Sequence, residues 1–357
     1  MSLRRGGGAV RAWFQKLEPS PDVFAVVMAT GIVAVAARDH GYRYIGQGLA
    51  VVALATFTVL GVGFVIRAAT RPSRVVRLTR NPDVALRMFT FVAACAVLGE
   101  YLRPRPVAAS VLAGLALAGW IVLVPLAAAD VSRRRIAQLR DQAHGAWLLP
   151  SVATSGLAGA AAQRAVAGEA SVLPVVAAAA VGLAVVIYLG VASLILWRAL
   201  AAPLVPDEIP PDSWILMGAL AICSLAGAQT LGALRALAEP APLVRAGEIL
   251  TLVTWVGASL WVPVLLYAQM WRSDHMVGTL HYEGVWWSAV FPIGMYSAAS
   301  SAVGRGLGWP QLATVSLVFF WIAFTIWLLV ATGLVHGALA RVVAHPGGTR
   351  GTRRLRE

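Results

Sequence analysis

The chain contains little cysteine, with only Cys95 and Cys223 among its 357 residues. Both lie inside long apolar runs and are far apart in the sequence. A disulfide framework needs more cysteines, and a structural zinc site needs closely spaced cysteine or histidine ligands. The sequence therefore excludes a small disulfide-stapled fold, and we predict neither a metal nor a cofactor.

Charge is also scarce where the chain is most apolar. Charged residues make up 13% of the sequence, and the interiors of the apolar runs contain almost none. A charge inside a bilayer is costly, and an intramembrane proton relay or hydrolytic site would need titratable side chains in place. Their scarcity argues against both kinds of site, so we predict that the protein is not an enzyme.

Acidic residues are few compared with basic ones, 16 against 29, which gives a net charge of +13. Such a balance can indicate nucleic-acid binding, because basic patches neutralise phosphates. Most of the arginines, however, lie in short loops between apolar runs. We therefore predict no nucleic-acid partner.

Hydrophobic residues are abundant, at 59% of the chain with a mean hydropathy of +0.75. Soluble domains are only about 45–50% apolar. We therefore predict that the apolar residues of this chain contact a lipid bilayer. Ten apolar runs have the length that a membrane-spanning helix needs: 21–37, 45–69, 84–101, 106–129, 144–162, 172–197, 213–234, 246–270, 284–302 and 310–338. We predict an all-α integral membrane protein with ten transmembrane helices.

These runs form one ten-helix transmembrane domain over 21–338, between a basic N-terminal segment, 1–20, and a basic C-terminal tail, 339–357. An even number of spans places both termini on one side. That side carries 21 of the 29 basic residues and the other side carries eight. By the positive-inside rule both termini are cytoplasmic, in a multi-pass protein of the cytoplasmic (inner) membrane.

The ninth run has an unusual composition for a lipid anchor. Phe291 is followed by Pro292 and then by small or hydroxylated residues. A proline bends a membrane helix and frees a carbonyl, which is tolerable only next to protein or a water-filled cavity. The ninth run is therefore predicted to line a pore.

Other odd-numbered runs carry similar small or hydroxylated residues. The pore-lining candidates are Thr30, Gly31, Thr154, Ser155, Gly156, Ser224, Gly294 and Ser297. Small residues also serve close helix packing, which is the alternative at each position. An uncharged conduit in a strongly basic protein favours anions, because arginines at the mouths of the conduit raise the local anion concentration.

Two charged residues near span ends are candidates for roles in transport. Arg87 lies four residues after Asp83. It is interpreted either as an anion attractor at the cytoplasmic mouth or as an interfacial arginine neutralised by Asp83. Glu100 is interpreted either as a protonatable coupling group or as a solvated carboxylate at the rim.

A third cluster, Asp274, His275, His281 and Glu283, precedes the ninth run. Histidine and carboxylate side chains can bind metals, but this spacing matches no established pattern. The cluster carries the alternative hypothesis of a polytopic membrane enzyme.

The first and fifth runs share a short segment of weak sequence similarity. Met28-Ala29-Thr30-Gly31 resembles Val152-Ala153-Thr154-Ser155-Gly156. Such matches also arise by chance in alanine-rich membrane sequence.

Two motifs carry a resemblance to a known family. Pro21-Asp22-Val23-Phe24, with Met28-Ala29-Thr30-Gly31-Ile32-Val33 after it, resembles the opening motif of the tellurite-resistance/dicarboxylate transporter family. Trp286-Trp287-Ser288-Ala289-Val290-Phe291-Pro292 is similar to that family's ninth helix. The family includes yeast malate and sulfite transporters and plant slow anion channels.

The resemblance implies five helical hairpins, with the odd-numbered helices forming an inner ring around a pore, commonly in a homotrimer. It also implies that Phe291, before Pro292, is the gate that occludes this pore. The expected substrates are small anions such as C4-dicarboxylates, sulfite or inorganic anions. A channel and a proton-coupled dicarboxylate carrier using Glu100 both remain open.

Overall fold

The computed structural model describes residues 23–70, 82–201, 209–275 and 286–343. Side chains are described within these ranges except at 82–83 and 338–343. The predicted segment 1–20, the motif residues Pro21 and Asp22, and most of the predicted tail lie outside the described residues. Every regular element in the described ranges is a helix, which confirms the all-α class.

The helices are numbered α1 to α10, with α3 in two pieces. Their bounds are α1 Ala25–Asp39, α2 Arg43–Thr70, α3 Pro82–Arg87 and Phe89–Tyr101, α4 Pro106–Val131, α5 Leu149–Val166, α6 Leu173–Ala201, α7 Ile215–Ala236, α8 Ala241–His275, α9 Trp287–Leu307 and α10 Leu312–Val343. A short helix, Ile136–Gln142, follows α4, and single 3₁₀ turns, Gly145–Leu148 and Pro211–Trp214, precede α5 and α7.

Seven helical stretches in the described ranges are long and apolar enough to cross a membrane: α2, α3, α4, α6, α7, α8 and α10. The chain is therefore a multi-pass membrane protein. The other three, α1, α5 and α9, are shorter or richer in small and hydroxylated residues. On length and apolarity alone, the structure supports fewer spans than the predicted ten.

Burial separates the helices into two sets. In α2, α4, α6, α8 and α10, only 17–28% of the residues in the most apolar stretch are buried, whereas the share is 67% in α3 and 83% in α7. All residues of α9 from Trp287 to Gly304 are buried. The even-numbered helices expose valine, leucine, isoleucine and tryptophan, as a lipid-facing surface requires. A helix enclosed by protein does not meet lipid, so its sequence can be less apolar.

Two series of contacts organise the helices. Consecutive helices pack in pairs, α1 with α2, α3 with α4, α5 with α6, α7 with α8 and α9 with α10. The odd-numbered helices also contact one another, α1 with α3, α3 with α5, α5 with α7, α7 with α9 and α9 with α1. Each odd-numbered helix therefore has two odd-numbered neighbours.

Glycines allow these helices to approach closely. A Cβ built on Gly31 would stand 2.9 Å from Cγ1 of Val97 on α3, and one on Gly156 would stand 2.5 Å from the Cβ of Ala96. Small residues have this function in many membrane helix interfaces. These two glycines therefore fix the distance of α3 from α1 and α5.

Candidate functional site

Two cavities lie between the odd-numbered helices. The first, of about 30 Å³, is lined near the beginnings of all five: Ala25, Met28, Arg87, Thr90, Ala146, Leu149, Asp212, Ile215 and Ser288. The second, of about 40 Å³, is lined farther along the same helices and by part of α4. Because one cavity is lined at the helix beginnings and the other farther along, the five helices run in the same direction.

Phe291 lies between the levels of the two cavities on α9. Ser288 lines the first cavity and Met295 lines the second. Phe291 is three residues after Ser288 and four before Met295, so the three share one helix face. With a rise of about 1.5 Å per residue, the two cavity-lining residues are separated by roughly 10 Å. The Phe291 side chain is fully buried, at 0% exposure, in this interval.

Pro292 and Gly294, which were also predicted to belong to the pore, contact other helices. Pro292 packs against Gly218 on α7, where a built Cβ would stand 2.8 Å from the Pro292 Cβ. A Cβ on Gly294 would stand 3.0 Å from Ile32 on α1 and 3.8 Å from Ala323 on α10. Both positions hold α9 against its neighbours.

Of the predicted pore-lining residues, Ser155 and Gly156 line the second cavity. The Ser155 hydroxyl lies 3.1 Å from the thiol sulfur of Cys223 on α7. Thr90 and Ser288 line the first cavity and were not among the candidates. Their sequence signal is a hydroxyl in an odd-numbered run, as for the candidates, but closer to the start of the run.

Four other predicted hydroxyls bond to outer helices. Thr30 accepts a 2.9 Å bond from the indole N–H of Trp327 on α10, and Thr154 accepts one of the same length from Trp120 on α4. The remaining two donate to α8 and α10, with Ser224 bonding Thr254 at 3.0 Å and Ser297 bonding the Ser316 carbonyl at 2.7 Å. None of the four is among the described residues that line either cavity.

The sequence similarity between the first and fifth runs coincides with a repeated hydrogen bond. Thr30 and Thr154 occupy matching positions in the two similar segments, and each accepts a tryptophan N–H from an even-numbered helix. A third pair, Trp255 on α8 and Ser300 on α9, has the same form at 3.0 Å. In each pair the tryptophan is on an even-numbered helix and the hydroxyl is on the odd-numbered helix that follows it. The pairs are α4 with α5, α8 with α9 and, closing the series, α10 with α1.

Arg87 lines the first cavity together with the buried Asp212. The Asp212 carboxylate accepts a 3.1 Å bond from the Ala146 backbone N–H, which joins the turns before α5 and α7. The predicted partner of Arg87, the Asp83 side chain, lies outside the described side chains. The structure therefore places Arg87 at a cavity.

Glu100, at the end of α3, lines the second cavity and is only 8% exposed. The interpretation as a solvated rim carboxylate is therefore wrong. One carboxylate oxygen accepts from Arg38, at 3.3 Å, and from Arg103. The other accepts from the amide nitrogens of Gln163, at 2.5 Å, and Gln229, at 2.8 Å.

Further charges surround this carboxylate. Arg38 also bonds Asp39 at 3.0 Å, and Arg305 on α9 lies 3.7 Å from the same Asp39. Burial lowers the pKa of the Arg103 guanidinium, but the charge and hydrogen bond of Glu100 raise it, so that the pKa ends above its ordinary value. The formal charges of Arg38, Asp39, Glu100, Arg103 and Arg305 sum to +1.

The cluster with metal-binding side chains is only partly described. Asp274 and His275 are exposed at the end of α8, whereas His281 and Glu283 lie outside the described residues. Within the described part of the chain, no three histidine, cysteine or carboxylate side chains are grouped so that they could hold a metal.

Comparisons with known proteins agree with this architecture. Over residues 19–335 the chain matches the family model described as voltage-dependent anion channel. It is also 31% identical over 158 residues to uncharacterized membrane proteins of Mycobacterium tuberculosis strains H37Rv and CDC 1551, a region that covers 44% of this chain and 79% of each relative. Because the family match spans most of the chain, the protein belongs to the voltage-dependent anion channel family.

Proposed function

We propose that the protein transports small anions through a conduit between its five odd-numbered helices, with Phe291 as the occluding gate. The observation that carries this proposal is the position of Phe291, fully buried on α9 between two cavities that all five helices line. In this proposal the bulky ring of Phe291 separates the two cavities. Membership of an anion channel family supports transport at the general level.

The closed series of contacts among α1, α3, α5, α7 and α9 supports an inner ring, with five hairpins supplying ten spans. In this proposal α1, α5 and α9 also cross the membrane, although they are less apolar, because protein rather than lipid surrounds them. The common direction of the five helices agrees with both termini on one side, which the arginine distribution assigns to the cytoplasm. We also propose that the protein lies in the cytoplasmic membrane and forms a homotrimer. The trimer is supported by family resemblance alone.

Charges at the two cavities support selectivity for anions. Arg87 lines the first cavity. At the second cavity, Glu100 is part of a cluster with Arg38, Asp39, Arg103 and Arg305, whose formal charges sum to +1. Cationic mouths raise the local anion concentration, whereas an uncharged interior avoids binding an anion too tightly. On the α9 face between Ser288 and Met295, both Phe291 and Pro292 are apolar, which agrees with an apolar constriction.

The alternative mechanism is a proton-coupled carrier that uses Glu100. Its location at the second cavity favours a role in transport, since a proton and a substrate could meet there. Protonation would, however, weaken charge-assisted bonds to two arginines. We therefore favour a channel-like conduit, and the family assignment favours transport over a membrane enzyme.

The experiment is a flux assay in liposomes that contain the purified protein. Chloride, nitrate, sulfite and malate are tested separately, with membrane potential and pH gradient set independently. The proposal expects flux of at least one of these anions that follows the membrane potential. Flux that requires a pH gradient and is lost in Glu100→Gln would instead support the carrier, and the absence of any anion flux would contradict both.

A further inference from the structure

The Glu100 carboxylate is held by side chains from four separate places in the chain. Arg38 ends α1, Arg103 lies between α3 and α4, Gln163 is on α5 and Gln229 is on α7. Their sequence separations from Glu100 are 62, 3, 63 and 129 residues. The fold therefore converges four hydrogen-bond donors on one point beside the second cavity.

These donors have the chemistry of an anion-binding site. Two guanidinium groups supply charge-assisted bonds to one carboxylate oxygen, and two neutral amides donate to the other. The Glu100 residue is 8% exposed, so water competes little at its carboxylate, although the Arg38 and Arg103 side chains are 29% and 48% exposed. A charged pair alone would not need the two glutamines.

Gly159 on α5 is part of the same arrangement. A Cβ on this residue would overlap the amide oxygen of Gln229. The missing side chain leaves room for that oxygen, which lets the amide nitrogen of Gln229 point to Glu100 at 2.8 Å. The backbone of α5 thus admits the conformation in which Gln229 donates to an anion.

We propose that Arg38, Arg103, Gln163 and Gln229 form a binding site for a small carboxylate or oxyanion, which the Glu100 side chain occupies as a tethered competitor. An anion entering the second cavity meets donors that are already satisfied by Glu100. It binds only when the Glu100 side chain leaves, and Glu100 returns when the anion departs. The assignment of this exchange to conduction rests on the proposed function, whereas the binding of an anion does not.

The size of the side chain suggests a direct test. Substitution of Glu100 by alanine removes one methylene and one carboxylate group, the same heavy atoms that acetate contains. The vacated space lies next to a cavity of about 40 Å³. Acetate should therefore fit the site in Glu100→Ala, whereas pivalate, with three methyl groups on its carboxylate-bearing carbon, should not.

The experiment measures the melting temperature of purified full-length protein in detergent, in sodium acetate or sodium pivalate at equal ionic strength. Acetate should raise the melting temperature of Glu100→Ala saturably, by about 2 °C or more relative to pivalate. The wild type and Glu100→Gln should show no such difference, because a side chain fills their site. Adding Arg103→Gln to Glu100→Ala should remove the acetate effect.

The proposal is overturned if folded Glu100→Ala responds equally to acetate and pivalate, since the cluster would then be a structural ion pair. If Glu100→Ala is recovered folded only when purified in acetate, the proposal is supported. Recovery in neither salt would contradict it. This readout does not involve transport, so an inactive wild type in the liposome assay would overturn the proposed function without affecting the binding site.

Discussion

Gly218 on α7 packs closely against Pro292 on α9: a Cβ on Gly218 would stand 2.8 Å from Cβ and 2.9 Å from Cα of Pro292. The proline cannot withdraw easily, because its ring is part of the backbone. Gly218→Ala should therefore shift α9 next to Phe291 and destabilise the protein by about 1–3 kcal/mol. Thermal unfolding in detergent measures this loss.

Gly232, on the same helix α7, is the matched control. A Cβ at Gly232 would have no described neighbour within 4 Å. Gly232→Ala should be neutral or stabilising by up to about 1 kcal/mol, because alanine favours helix more than glycine does. Equal melting temperatures for the two variants would show that the contact at Pro292 is not tight.

The hydrogen bond between Trp327 and Thr30 should stabilise the contact of α10 with α1. Trp327→Phe and Thr30→Val each remove it, and a double-mutant cycle isolates the pairwise energy. We expect a coupling of about 0.6 kcal/mol, with about 1.7 kcal/mol as the upper range for such bonds in membranes. The equivalent cycle on Trp120 and Thr154 should give a similar value. A coupling energy near zero in both cycles would contradict the prediction and show that these hydrogen bonds do not stabilise the contacts between the helices.

Arg87 should increase anion flux by raising the anion concentration in the first cavity. Arg87→Gln should lower chloride flux several-fold at low ionic strength. The ratio to wild type should approach one at high salt, because the Debye length falls from about 30 Å at 0.01 M to about 3 Å at 1 M. Arg133→Gln, in the exposed turn after α4, is the control and should leave flux unchanged. A salt-independent loss in Arg87→Gln would indicate a structural role instead.

The sequence was sufficient to predict the membrane class and the family. Hydrophobic runs and Phe291-Pro292 are local features, and their physical meaning does not depend on distant residues. It was also possible to select the odd-numbered runs as special, because small and hydroxylated residues are concentrated there.

The direction of individual side chains could not be predicted. In helices such as α1 and α5, hydroxylated residues lie among small and apolar ones, so no hydrophobic stripe distinguishes the face toward a cavity from the face toward an outer helix. Thr154 bonds an outer tryptophan whereas Ser155, the next residue, lines a cavity. The surroundings of Glu100 were equally inaccessible, because Gln163 and Gln229 reach it from other helices.

The central claim is that Phe291 closes the conduit, and the most direct measurement is chloride and nitrate flux through Phe291→Ala in liposomes at a fixed membrane potential. Phe320→Ala on α10 is the matched control, because Phe320 is also fully buried but packs against Tyr42 and Trp321 rather than between the cavities. The account predicts that Phe291→Ala raises flux at least about tenfold, which corresponds to a barrier lower by about 1.4 kcal/mol, and that Phe320→Ala does not raise it. Wild-type flux in a folded, inserted Phe291→Ala protein would contradict the account.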